Sequence, residues 1–481
     1  MMSCDNAPIF TCGEIIKATG GVLLNGDLDR QFRGVSTDSR QTEQGNLFIA
    51  LKGDAFDGHD FLDAAILSGA AGLVIETASQ GRLKKKALKR IAVISVADTL
   101  GALGAIAHFR RKAFDIPVIG ITGSAGKTTT KEMTAAIFAL TKKCLKTEGN
   151  FNNLIGLPLT LLNLNKEHEI AVIEMGTNFP GEIGRLTRIA EPTIGLITNV
   201  GPAHLEGLKT IDCVREEKGD LFRYMAKDGI AVVNLDDENT KKLGNARRGR
   251  KVTFGLQPAA DVEAVNIRKL GMRGCRFDLR LGEMRQEVQL AQTGEHHIYN
   301  ALAAAAATWT LGTEPSLISR GLSAAKPLSG RMEIHPLGNG SFVINDAYNA
   351  NPLSVRAAVK TLGDLMSGGD AVVILADMLE LGEYAVEFHE EIGSIIAARH
   401  PAALFLKGDY ASYTARGACK GGLSKKKIFL YGESNEVLAY LKKNLKKGQW
   451  ILVKGSRRMR MDELVRQIKE AFGADPSLIK D

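Results

Sequence analysis

The sequence predicts an α/β protein of three domains. The expected units are a small α/β domain over residues 1–113, a central domain over 114–325 with a mainly parallel sheet and a phosphate loop, and a C-terminal Rossmann-like, doubly wound domain over 326–481. Three observations predict this. At 481 residues the chain is too long for one hydrophobic core. Short apolar runs alternate with helical stretches, the pattern of a mainly parallel sheet covered by helices. Residues 116–130 set a glycine-rich turn and Gly-Lys-Thr between a strand-like run and a helical one.

In the first unit the strand-like runs are 47–51, 72–75 and 92–96, with a helical stretch at 61–68 and a connecting helix at 98–112. Asp115-Ile116-Pro117 marks the next boundary. Strands are expected in the second unit at 117–122, 170–174, 193–199 and 230–234. Residues 301–307, rich in alanine, read as a tightly packed helix. The third unit opens near Lys326-Pro327, and its strands are expected at 342–345, 371–376, 403–406, 427–431 and 450–454.

Composition narrows the function classes. A hydrophobic content of 44% with 24% charged residues is ordinary for a globular protein. No apolar run approaches the roughly 18 residues that span a bilayer, and the N-terminus lacks the layout of a signal peptide. No membrane insertion is therefore expected. Six cysteines without C-x-x-C spacing fit reduced thiols and a cytoplasmic location. The net charge of +8 gathers in clusters at 82–90, 425–427 and 442–447. These read as solvated helix faces rather than a nucleic-acid surface, while the positive field favours polyanionic substrates.

The chemistry centres on Thr122-Gly123-Ser124-Ala125-Gly126-Lys127-Thr128-Thr129. Glycines let backbone N–H groups turn inward around phosphate oxygens. Lys127 supplies positive charge to the β/γ-phosphates, and the Thr128 hydroxyl suits Mg²⁺. Ile121 stands where a full phosphate-loop pattern has its first glycine, and an ordinary turn between strand and helix is the plain alternative. Glu174 ends an apolar strand, where open α/β sheets bind ligands; alone such a residue is most often merely solvated, and the phosphate loop beside it reverses that reading. His204 follows another strand end and Lys218 lies fourteen residues later. From the residues alone these are a capping or core histidine and a surface cation. Residues 294–300 precede the alanine-rich helix, Arg331 is a candidate phosphoryl clamp, and residues 345–352 form a polar turn.

Taken together, residues 122–128, Glu174-Met175-Gly176, His204, Lys218, Asn300, Arg331 and Asp346 resemble the Mur ligases over essentially the whole chain. Further stretches are similar to the branch of that family that adds a D-alanyl-D-alanine dipeptide: 37–40, 45–53, 56–61, 149–153, 204–207, 345–352, 376–382 and 454–457. Each motif is weak alone; their joint order is specific.

The resemblance implies an ATP-dependent ligase of peptidoglycan precursor synthesis. ATP would phosphorylate the terminal carboxylate of UDP-N-acetylmuramoyl-tripeptide, and the amine of D-alanyl-D-alanine would displace the phosphate. By resemblance, Lys127, Lys218, His204 and Arg331 are catalytic. Residues Thr122 to Thr129 with Asn300, Arg331, Asp346 and Asn349 would meet the nucleotide. Thr128 and Glu174 would hold one Mg²⁺, and His204 with an N-carbamylated Lys218 a second. Ser39, Arg40, Lys52, Asp57 and His59 would face the UDP-sugar, and Asn152, Asn153 and Lys454 would touch substrate. A monomer is expected. The competing readings are another amino-acid ligase of the family and a phosphate-loop phosphotransferase or ATPase.

Overall fold

The computed structural model describes residues 10–53, 55–83, 91–366 and 370–473. Most of the basic run 82–90 lies outside the described residues. Three main sheets of five, nine and six strands form, with a two-stranded pair, Phe10–Thr11 against Gln31–Phe32, beside the first.

The first sheet runs Val22–Asn25, Ala92–Val96, Gly72–Glu76, Asn46–Ile49, Gly34–Ser36, parallel except for its first strand. Its middle strands are the apolar runs visible in the sequence, buried along nearly their whole length as parallel strands require. The connecting helix Thr99–Lys112 starts where Asp98 accepts from Leu100 N. It buries Ala102, Leu103, Ile106 and Ala107 between the helices Cys12–Thr19 and Gly156–Leu162. Full burial of Leu103 and Ile106 stabilises the join by about 1.5–3 kcal/mol each. Arg110 donates to Leu164 O at 2.7 Å, and Arg111 to Phe114 O at 2.7 Å. One apolar cluster thus runs from Phe10 to Val233, through both units.

The central sheet has the order Met284–Leu290, Cys275–Leu281, Val262–Lys269, Lys251–Gly255, Ile230–Asn234, Ile194–Ile197, Val118–Thr122, Ile170–Glu174, Cys144–Lys146. It is parallel from Cys144–Lys146 through Val262–Lys269; the last two strands are antiparallel. The four strands between 251 and 290 are absent from the sequence reading. Cys275–Leu281 alternates strictly, with Cys275, Phe277, Leu279 and Leu281 buried and Arg276, Asp278 and Arg280 outward. The helix Glu295–Trp309 buries Ala301 to Ala307, and its small side chains let it lie close against the helix Lys127–Phe138. Val118–Thr122 sits between Ile170–Glu174 and Ile194–Ile197, and the chain leaves it toward both sides. That is a topological switch point, where such sheets open a crevice at their carboxyl ends.

The third sheet runs Glu333–Pro336, Phe342–Asp346, Trp450–Lys454, Ala371–Ala376, Ala403–Lys407, Ile428–Leu430. Only the first pair is antiparallel. Two apolar clusters, one centred on Ile344 and Leu452, the other on Val343 and Ile451, reflect the doubly wound arrangement. Among the described residues, no helix is long and apolar enough to cross a membrane, and Cys12, Cys144, Cys213, Cys275 and Cys419 are free thiols.

Candidate functional site

A cavity of about 640 Å³ opens where the carboxyl ends of the central strands meet the third unit. Its floor is the glycine loop. Gly123 has φ +150° and Gly126 φ +84°. A Cβ on Gly123 would stand 1.9 Å from Thr198 Oγ1, and one on Gly126 would stand 2.3 Å from Asn300 Oδ1. Both positions therefore require glycine, and Asn300 packs directly on the loop. The segment 198–201 pins the loop from below: Asn199 Oδ1 accepts from Ala125 N at 2.9 Å, and Ser124 Oγ donates to Gly201 O at 2.8 Å.

Lys127 begins the helix and donates to Gly123 O at 2.7 Å. Burial and the charge of Arg331 push its pKa down, against the pull of Glu174. The Thr128 hydroxyl accepts from Arg331 Nη2 at 2.9 Å. Thr129 is buried and lines the cavity. Thr122, expected at the nucleotide, is fully buried and donates its hydroxyl to Met175 O at 2.9 Å, so its side chain ties the strand pair and does not line the cavity.

Glu174 ends its strand with its backbone N donating to Thr147 Oγ1 at 2.9 Å. Its Oε1 accepts from Asn152 Nδ2 at 2.8 Å, while the buried Oε2 has no partner. Glu174 therefore sets a buried carboxylate oxygen without a protein partner at the cavity wall, a donor type that suits a hard cation. Asn152 thus orients Glu174 through its amide nitrogen and also lines the cavity. Asn153 accepts from Ile155 N and Gly156 N at the start of the helix Gly156–Leu162, so its side-chain oxygen is committed as well.

His204 has φ +55° and its Nδ1 lies 2.8 Å from Glu380 Oε2. Burial lowers its pKa. Lys218, on the helix Ile211–Tyr224, is buried, and its pKa is pushed down to about 7 by burial first and by the Lys127 charge second. An amine tuned this way is largely uncharged at mildly alkaline pH.

The third unit supplies one wall. The Arg331 guanidinium lies 4.2 Å from the centre of the Tyr348 ring, and Arg457 lies 5.4 Å from the same ring. Asp346 is buried, accepting from Lys454 Nζ at 2.5 Å and Met332 N at 3.1 Å. Burial raises the Asp346 pKa against the pull of Lys454. Lys454 also donates to Asn349 O at 2.9 Å. It thereby braces the turn that presents Asn349, while itself lining the cavity. Asn349 itself lines the cavity.

None of the described residues of the first unit lines this cavity. Arg40 is exposed and paired with Asp38 at 2.8 Å, next to part-exposed Ser39. Lys52 is exposed and bridges to Asp57 through the backbone. His59 is buried with both ring nitrogens engaged, Nδ1 with Asp57 at 2.6 Å and Nε2 accepting from Glu76 N at 3.0 Å. The ring expected to face a sugar nucleotide is thus a buried brace between Asp57 and Glu76 in this structure.

The sequence reading missed Tyr348, Glu380 and His297. All three lie inside stretches it had marked, 345–352, 376–382 and 294–300, but nothing in them showed which side chain faces a partner. His297 lines the cavity with both ring nitrogens buried and unpartnered, and burial holds its pKa well below the ordinary value.

Comparison with known proteins places these features in one family. The family descriptions that match are "Mur ligase middle domain" over residues 121–308, "Mur ligase, glutamate ligase domain" over 330–457 and "Mur ligase family, catalytic domain" over 31–136. The UDP-N-acetylmuramoyl-tripeptide--D-alanyl-D-alanine ligase of Bacillus subtilis is 36% identical, covering 96% of this chain and 98% of its own. The ligase of the same name from Escherichia coli is 35% identical, covering 93% and 97%. Among solved structures, MurF from Acinetobacter baumannii superposes with a TM-score of 0.88 at 31% identity, covering 96% of this chain and 99% of its own. The MurF ligase of Thermotoga maritima in complex with ADP gives 0.80 at 28%, covering 91% and 97%.

Proposed function

The chain belongs to the Mur ligase family, and from that premise we propose that it is the ligase that joins D-alanyl-D-alanine to UDP-N-acetylmuramoyl-tripeptide at the expense of ATP, in peptidoglycan precursor synthesis. A terminal carboxylate oxygen of the tripeptide takes the γ-phosphoryl group, and ADP departs with the bridging oxygen. The dipeptide amine then attacks the acyl carbon, loses a proton, and phosphate leaves as the amide forms. The observation that carries this reading is the composite wall of the cavity: Thr128 from the central unit meets Arg331 from the third at hydrogen-bond distance, and Lys127 lines the same cavity beside them.

Phosphoryl transfer needs positioning and charge neutralisation more than proton transfer. The loop N–H groups and Lys127 cradle the transferring phosphoryl group, and Arg331 clamps it from the opposite wall. Asn300, Asp346 and Asn349 border the nucleotide. The partnerless Glu174 Oε2 and the buried Lys218 amine fit two Mg²⁺ sites, Thr128 with Glu174 and His204 with a carbamylated Lys218, and the ions would supply charge neutralisation at the phosphoryl oxygens. Docking of the third unit excludes water, which protects the acyl phosphate.

The three units, 1–113, 114–325 and 326–481, divide the labour. Exposed Arg40 and Lys52, with part-exposed Ser39 and Asp57, are the residues of the first unit that would meet the UDP-sugar. The protein works as a cytoplasmic monomer, without nucleic acid. Phosphate release measured across UDP-muramoyl peptides and D-amino-acid dipeptides tests the assignment. Release is expected only when both peptide substrates are present; full-rate release without the dipeptide removes it.

A further inference from the structure

The stretch 376–382 takes no part in the reaction as described, yet it docks onto the turn that carries His204. Glu380 Oε2 lies 2.8 Å from His204 Nδ1, and Glu206 N donates to Glu380 O at 3.0 Å. His204 has φ +55° and Glu380 φ +63°. Left-handed backbone is uncommon for residues with a side chain and persists where the surroundings enforce it. Here two such residues meet face to face across a domain boundary. A Cβ on Gly382, at φ +56°, would stand 3.2 Å from Glu206 Cα, so the two turns touch at backbone level.

The third unit holds this stretch stiffly from behind. Met378 N donates to His389 Nε2 at 3.1 Å, Leu379 N to Ser456 Oγ at 2.8 Å, and Ser456 N to Asp377 O at 3.1 Å. The Asp377 carboxylate is in turn fixed by Asp409 N at 2.7 Å. A turn anchored at this many points presents Glu380 in one place relative to its own domain.

We infer that Glu380 is a positioning residue: its carboxylate reaches across the boundary, holds His204 by Nδ1, and presents Nε2 to the cavity when the third unit is docked. A carboxylate on one ring nitrogen fixes the proton there and leaves the other nitrogen as the acceptor or ligand. Closure of the domains and completion of the site then become one event. This rests on the role given to His204 above.

The test uses the full-length protein and the variants Glu380→Ala, Glu380→Gln, His204→Ala and the Glu380→Ala/His204→Ala double. Glu380→Ala is expected to lower kcat about ten- to hundred-fold with the KM for ATP little changed. Glu380→Gln, whose amide oxygen still accepts from Nδ1–H, is expected to recover much of the rate. The double variant is expected to be no slower than His204→Ala, because the two residues act as one unit. Mn²⁺ titrated in the presence of ADP, with the free ion read by EPR, is expected to bind more weakly in Glu380→Ala. Should the alanine variant fail to fold, Glu380→Asp, which keeps the charge and shortens the reach, is expected to show the same fall. Wild-type kcat in Glu380→Ala or Glu380→Asp beside a slow His204→Ala overturns the inference alone, as do losses that multiply in the double variant. A fully active His204→Ala removes the role given to His204, and the inference with it.

Discussion

Arg331 Nη2 donates to the Thr128 hydroxyl at 2.9 Å, across 203 residues of chain. The bond joins the third unit to the first turn of the helix that follows the glycine loop. Asn351 Nδ2 adds a second tie to Ser124 O at 3.1 Å. The cavity is thus walled by both units in this docked arrangement, and neither builds it alone.

That geometry makes Arg331 sensitive to shape as well as charge. Arg331→Ala is expected to reduce kcat by about 10²–10³-fold, the loss typical of one aimed donor. Arg331→Lys keeps the charge but loses the planar fork and much of the stacking on Tyr348, so recovery should be partial. Steady-state kinetics with saturating ATP decides it; full activity in the lysine variant would show that charge alone suffices.

Glu174→Gln separates folding from chemistry. The Gln Oε1 can still accept from Asn152 Nδ2, so the melting temperature should move by no more than a few degrees. The charge on the partnerless Oε2 is lost, so turnover should collapse and the Mg²⁺ concentration for half-maximal rate should rise. A variant with normal turnover would release Glu174 from metal binding.

Gly126→Ala tests the loop. Its φ of +84° costs a residue with a Cβ about 1–2 kcal/mol, and the methyl would also press on Asn300 Oδ1. Nucleotide affinity, measured by calorimetry with ADP, should fall while the far-UV circular dichroism stays unchanged. Unaltered affinity would mean that the loop shape is not what binds phosphate.

What the sequence revealed, and what it hid, divides along physical lines. The fully buried parallel strands showed because burial on both faces makes unbroken apolar runs, as in Ile170–Glu174, whereas Lys251–Gly255 and Val262–Lys269, exposed at one end, did not. The antiparallel strands Cys275–Leu281 and Met284–Leu290 did not, because one face is charged and Arg276, Asp278 and Arg280 interrupt the pattern. Glycine positions were legible because backbone geometry there admits little else. Side-chain partners were not: Asn152, Lys454 and His59 sit in the right motifs, but each is bound to a protein group that spacing does not name. Glu380 was hidden for the same reason, since its partner lies 176 residues away.

Lys218 sets stability and activity against each other. Its folded pKa of about 7 lies below the ordinary 10.5, so the unfolded chain binds this proton more tightly than the folded one. Stability therefore rises with pH between those two values, and the penalty of burying the ammonium is fully present below pH 7. Lys218→Met removes the penalty and should raise the unfolding free energy by a few kcal/mol, about 1.4 per pKa unit at most, at or below neutral pH. The gain should shrink as pH climbs toward 10.5. The same variant should lose most turnover, and Lys218→Ala should regain part of it with added short carboxylates, which stand in for a carbamate. Denaturant melts at several pH values in CO₂-depleted buffer check the first half, and rescue assays the second. A methionine variant that is less stable than the parent at neutral pH would show that the Lys218 amine is paired rather than stranded, and would remove the physical basis for its carbamylation.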